Sequence, residues 1–131
     1  MNTLLSTLFL VTMGFLANAQ SDITPMVAEA LKKGDAIAIS TMMMPQVELE
    51  VDGKEGTFSS GEAKTILSQF FTANPPRDFT LKHQGTSKLD DQYRIGDLLT
   101  SKGTFRVTFF MKKGGWGMQI KQMKIEAPDA D

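Results

Sequence analysis

The stretch SSGEAKTILSQFFTANPP, residues 59–76, decides the fold. Ser59 and Glu62 stand at capping-box spacing, where each side chain can satisfy the other's orphan backbone N–H at a helix start. Ala63, Ile66, Leu67, Phe70 and Phe71 follow at i, i+3, i+4, i+7 and i+8 and make one broad apolar stripe. Asn74-Pro75-Pro76 ends the helix, because proline cannot continue its ladder. Two adjacent phenylalanines on one stripe need a large apolar partner.

The sequence downstream supplies one. Strand-like runs are read at Phe79–Gln84, Tyr93–Thr100, Thr104–Lys112 and Trp116–Glu126, punctuated by Asp90-Asp91, Ser101-Lys102-Gly103 and Gly114-Gly115. Turns this short join antiparallel neighbours. Phe105, Val107, Phe109 and Met111 share one face of the third run, and Met123 and Ile125 one face of the fourth. Upstream, Val47, Leu49 and Val51 alternate with Glu48 and Glu50, and Asp52-Gly53 with Glu55-Gly56 turns the chain back into Thr57-Phe58. Further upstream, Thr24-Pro25 reads as an N-cap and first helical position. Lys32, Lys33 and Gly34 suit that helix's end. Asp35 then caps a second short helix through Ile37, Ala38 and Met42, which Pro45 stops. The expected class is α+β, with three helices packed on a curved antiparallel sheet in a cone-like layer.

Residues 1–19 carry no charged side chain and hold an apolar core from Leu4 to Leu16 that ends in Ala17-Asn18-Ala19. That is the pattern of a secretory leader cleaved after a small-x-small site. The core is shorter than the roughly 20 apolar residues of a membrane span. The expected organisation is a signal peptide over 1–19, one domain over 20–126 and a disordered tail over 127–131. An exported chain, periplasmic or secreted, with no membrane span after cleavage, follows from it.

The formal net charge of −1 gives no field for neutralising phosphates, so nucleic acid is not expected as a partner. The chain has no cysteine, which excludes thiol chemistry, disulfides and cysteine-ligated metal. No metal set or cofactor fingerprint is visible: there is no phosphate-binding loop, nucleophile elbow or paired-histidine helix.

Gly56-Thr57-Phe58-Ser59, Phe70-Phe71, Asn74-Pro75-Pro76, Phe79, His83, Gly85, Ser87, Tyr93, Ile95-Gly96, Thr100, Gly103-Thr104-Phe105-Arg106-Val107 and Ile125-Glu126 resemble a family of secreted bacterial proteins of unknown function. That family lies within the nuclear-transport-factor-2-like, or cystatin-like, superfamily. The resemblance implies the cone-shaped fold and brings no activity. In the wider superfamily, isomerases and dehydratases place Asp, His and Tyr inside the cone, and related folds dimerise sheet to sheet.

Candidate chemistry rests on few residues. His83, the only histidine, alternates with Phe79 and Leu81 and can titrate near neutral pH. Its bland reading is a histidine satisfied by a backbone partner. Tyr93, the only tyrosine, starts the neighbouring run, and a one-residue register slip would move it to the other face from His83. Asp97 either joins the cone lining with a raised pKa or is turned outward by a bulge at Gly96-Asp97; the bulge is preferred. Arg94 and Arg106 suit cross-strand ion pairs or an anionic ligand. Lys112, Lys113, Lys121 and Lys124 read as a solvated edge.

Two functions follow. The first is a non-catalytic binding or interaction module. Its apolar pocket for a small molecule or peptide would be lined by Phe70, Phe79, Leu81, His83, Tyr93, Phe109 and Met123. The alternative is an isomerase, dehydratase or hydrolase with His83, Tyr93 or Asp97 as acid or base. A second apolar set, Leu98, Phe110, Met118 and Ile120, is expected on the opposite sheet face as a homodimer surface.

Overall fold

A computed structural model describes residues 22–115 and 117–128. The expected leader over 1–19 and most of the expected tail over 127–131 lie outside those residues. The chain runs α1 (Thr24–Lys33), α2 (Ala36–Thr41), β1 (Met43–Val51), β2 (Lys54–Ser59), α3 (Ser60–Ala73), β3 (Pro76–Thr86), β4 (Gln92–Thr100), β5 (Gly103–Gly114) and β6 (Gly117–Glu126). All six strands form one curved sheet in the order β2-β1-β6-β5-β4-β3. Every neighbouring pair is antiparallel except β1 and β6. The sheet is therefore mixed, not purely antiparallel as expected, because the first hairpin joins the meander through its own β1.

The capping box forms as its spacing requires. Ser59 Oγ accepts from Glu62 N at 3.1 Å, and Ser59 N donates to Glu62 Oε1 at 2.9 Å. Those bonds from Ser59 hold the exposed Glu62 carboxyl below its ordinary pKa. The stripe of α3 is buried at Ala63, Leu67, Phe70 and Phe71, with Ile66 packed at its margin. The Phe70 ring meets Phe105 edge-on, with centroids 5.0 Å apart. Asp52 and Gly53 both have positive φ, the geometry of a two-residue hairpin turn.

Two helix ends differ from expectation. Thr24 lies inside α1, whose N-cap position is Ile23 with no side-chain cap bond; Asp22, one residue earlier, accepts from Thr24 N at 2.9 Å and Thr24 Oγ1 at 2.6 Å. The second helix stops at Thr41, before Pro45, and Pro45 lies within β1. Proline is tolerated there because it falls where the register with β6 shifts, ahead of the first residue paired with β2.

Asp22 also ties the start of α1 to the sheet. Arg94 is buried on the helix side of β4; its Nε donates to Thr24 Oγ1 at 2.8 Å, and its guanidinium lies 3.5 Å from Asp22 Oδ2. Burial pushes the Asp22 carboxyl up, but the bonds from Thr24 and the charge of Arg94 outweigh it and hold the pKa below 3.8. A depressed folded pKa contributes stability above the unfolded value, lost as pH falls through the folded one. The stability advantage of the native chain over Asp22→Asn should therefore hold at neutral pH and shrink below about pH 4, as read by urea midpoints across that range.

Gly96 sits beneath Phe79. A Cβ there would lie 2.4 Å from Phe79 Cζ and 2.6 Å from the Thr80 carbonyl oxygen, which is backbone and cannot swing away. Gly96→Ala should cost about 1–3 kcal/mol. Gly61→Ala, whose nearest atom is Ser59 Oγ at 4.0 Å, should be neutral or stabilising in the same unfolding measurement.

Candidate functional site

The two faces of the sheet differ. The helix-covered face carries Val47, Leu49, Leu98, Phe105, Val107, Phe109, Met111, Ile120, Met123 and Ile125, all buried. Among the described residues no helix covers the other face, and its rows follow from the register. One row runs Thr80, Asp97, Arg106, Glu126. The next runs His83, Ile95, Thr108, Lys124, Glu50. The third runs Gly85, Tyr93, Phe110, Gln122, Glu48. A depression of about 650 Å³ opens on this face, with Ile95, Thr108 and Phe110 among its lining and Lys82, His83, Asp97, Arg106, Lys124 and Glu126 around them.

The sheet divides the expected pocket. Phe70, Phe109 and Met123 are packed into the core, and Phe79 lies half-buried against it. Leu81 pairs with buried Gly96 on the helix side but is 38% exposed at the sheet edge. His83 and Tyr93 are on the helix-free face. A bulge in β3 turns His83 there: Leu81 pairs with Gly96 and His83 with Ile95, so Lys82 is an extra residue and the alternation inverts; Tyr93 lies there by plain alternation along β4. Asp97 does point outward, but by plain alternation, since β4 pairs with β5 without interruption.

The expected dimer set is corrected in three of its four members. Leu98 is fully buried opposite Phe105. Ile120 is fully buried and Met118 packs against the core. A second bulge explains these two: Phe110 pairs with Gln122 and Met111 with Ile120, leaving Lys121 unpaired and inverting β6 before it. Phe110 alone stays on the open face, its ring centroid 6.1 Å from that of Tyr93. Tyr93 in turn lies over Gly85, where a Cβ would come within 2.7 Å of the phenol oxygen.

His83, Tyr93 and Asp97 thus share a face around Ile95. His83 is diagonal to both others, at about 7–8 Å, but Tyr93 and Asp97 are four strand residues apart, about 13 Å. Among the described residues no hydrogen bond joins any two of them, and they cannot converge on one reacting atom. The ion pairs of the face are long and wet: Lys82–Asp97 at 3.9 Å, Lys124–Glu50 at 3.9 Å and Lys124–Glu126 at 3.8 Å, a kind worth under about 1 kcal/mol. Lys121, read as part of a solvated edge, instead meets the buried Asp91 carboxylate at 2.6 Å. Its bulge position carries no signal in the sequence.

The model of a domain of unknown function, DUF4783, matches residues 24–126. The chain belongs to the DUF4783 family. A family member from Bacteroides ovatus is 31% identical over 79% of this chain and 93% of that one, with a TM-score of 0.72. Another from Bacteroides fragilis is 27% identical over 81% and 99%, with a TM-score of 0.74. A cystatin-like domain of unknown function from Nostoc punctiforme, at 12% identity over 79% of this chain and 71% of that one, has a TM-score of 0.63 and shares the fold alone. The DUF4783 domain here therefore has the nuclear-transport-factor-2-like, cystatin-like architecture. No curated protein matches the sequence.

The two faces make opposite demands on mutation. Leu98→Ala should cost about 2–5 kcal/mol. Phe110→Ala, half-exposed on the open face, should cost clearly less, as compared by denaturant midpoints of the two variants.

Proposed function

We propose that this DUF4783 domain is an exported, non-catalytic interaction module that works through the helix-free face of its sheet and takes a second copy of itself there. The observation that carries this reading is the depression of about 650 Å³ whose floor holds Ile95 and Phe110 beside Tyr93 on a face that no helix covers among the described residues. Half-exposed aromatic and aliphatic groups ringed by charges are the composition of an interface with an apolar centre and a polar rim. The small-molecule reading loses its support, because Phe70, Phe109 and Met123 are spent on the core. The enzyme reading loses its support with the spread of His83, Tyr93 and Asp97 along the strands.

Export rests on the leader pattern of residues 1–19, whose cleavage leaves Gln20 first and delivers the domain to the periplasm or the medium. A cysteine-free interaction domain functions there without disulfide chemistry.

Light scattering and sedimentation over micromolar to millimolar concentration should give a dimer that dissociates on dilution. Phe110→Asp should give a monomer with unchanged circular dichroism. Protein recovered from its native host should have an intact mass beginning at Gln20. A strict monomer at the highest concentration would sink the interaction reading, and a retained Met1 would sink export.

A further inference from the structure

The register of the open face specifies how two copies would meet, an inference that rests on the self-association reading above. We propose that the copies are related by a twofold axis running along the strands, midway between β4 and β5, and that Asp97 of each protomer pairs with Arg106 of the other.

The argument is geometric. Two sheets packed face to face keep their strand directions within about 30° of each other. A twofold axis along the strands sets each residue of β4 opposite the partner copy of its own β5 register mate. Asp97 then faces the partner's Arg106, Ile95 the partner's Thr108, and Tyr93 the partner's Phe110. Each contact occurs twice, as an isologous interface requires. The aromatic and aliphatic groups fall beside the axis, and the two opposite-charge pairs lie side by side across the axis at one end of them.

The single chain leaves these charges available. Asp97 and Arg106 are directly opposite within one sheet, as are Arg106 and Glu126. Yet among the described residues Arg106 forms no ion pair or hydrogen bond, and Asp97 meets only Lys82, at 3.9 Å. A planar guanidinium with unengaged donors suits a carboxylate arriving from above the sheet.

Neighbouring axes fit worse. Moving the axis between β5 and β6 sets Arg106 against the partner's Glu126 but presses Tyr93 and Ile95 onto Glu48 and Glu50, desolvating carboxylates on apolar groups. Turning the axis across the strands at Ile95 sets Asp97 on Tyr93. Of these three axes, the β4–β5 axis alone sets the aromatic rings of Tyr93 and Phe110 against each other and opposite charge against opposite charge.

The test is a charge exchange read by native mass spectrometry and sedimentation. Asp97→Lys and Arg106→Glu each place like charges at both symmetric contacts, and each should weaken the homodimer by about a hundredfold. Mixed together, the two variants should form a heterodimer of near-native affinity. The introduced lysine then faces the introduced glutamate, while the native Arg106 of one chain faces the native Asp97 of the other. A role confined to one sheet predicts no such rescue, because mixing leaves each chain's own clash in place.

Native-like circular dichroism qualifies the variants. Should either fail that criterion, the milder Asp97→Asn and Arg106→Gln carry the measurement, each expected to raise the dimer Kd about tenfold. A monomeric native protein overturns the self-association reading itself. A native dimer indifferent to either substitution, or one whose variants fail to rescue each other, overturns this pairing and leaves that reading standing.

Discussion

The edge-on contact between Phe70 of α3 and Phe105 of β5 is the constraint on which the rest of the molecule depends. It fixes which side of the sheet the helix covers. Once that side is chosen, the period-two alternation of every strand assigns each residue to the core or to water. Phe71 sets a second ring edge-on to Phe70, at 5.7 Å, and is buried beside it, so rolling the helix would break the Phe70–Phe105 contact and expose both rings. Face assignment, and with it the identity of the open surface, follows from one aromatic cluster.

Much of this was legible in the sequence because it depends on local chemistry. The Ser59–Glu62 capping box, the Asp52-Gly53 turn, the left-handed Gly34 and the Asp35 cap are short-range patterns whose physical cause lies within four residues. The apolar stripe of α3 and the core face of β5 are equally direct readings of period. The α+β class follows from these alone.

The site was read less well, and the reason is specific. A bulge changes the parity of a strand by one residue, and Lys82 and Lys121 look like any other strand lysines. Two such insertions sent His83 out of the expected pocket and Ile120 and Met118 into the core. The expected bulge was placed instead at Gly96-Asp97, where the glycine has another purpose: it makes room for Phe79. A glycine in a strand signals close approach as readily as irregularity. The role of Asp91 was invisible for a related reason, since its partner Lys121 is 30 residues away and reaches it only through the bulge.

The position of β6 has a further consequence. This strand, the last of the six in sequence, lies inside the sheet between β1 and β5, and among the described residues it alone joins the ladder of the first hairpin to that of the β3–β5 meander. Without it, the β1–β2 hairpin and the β3–β5 meander share no ladder among the described residues, and each exposes apolar groups that the finished core buries. Cooperative closure thus waits on two strands from opposite ends of the domain, and this long-range β1–β6 pairing favours slow folding.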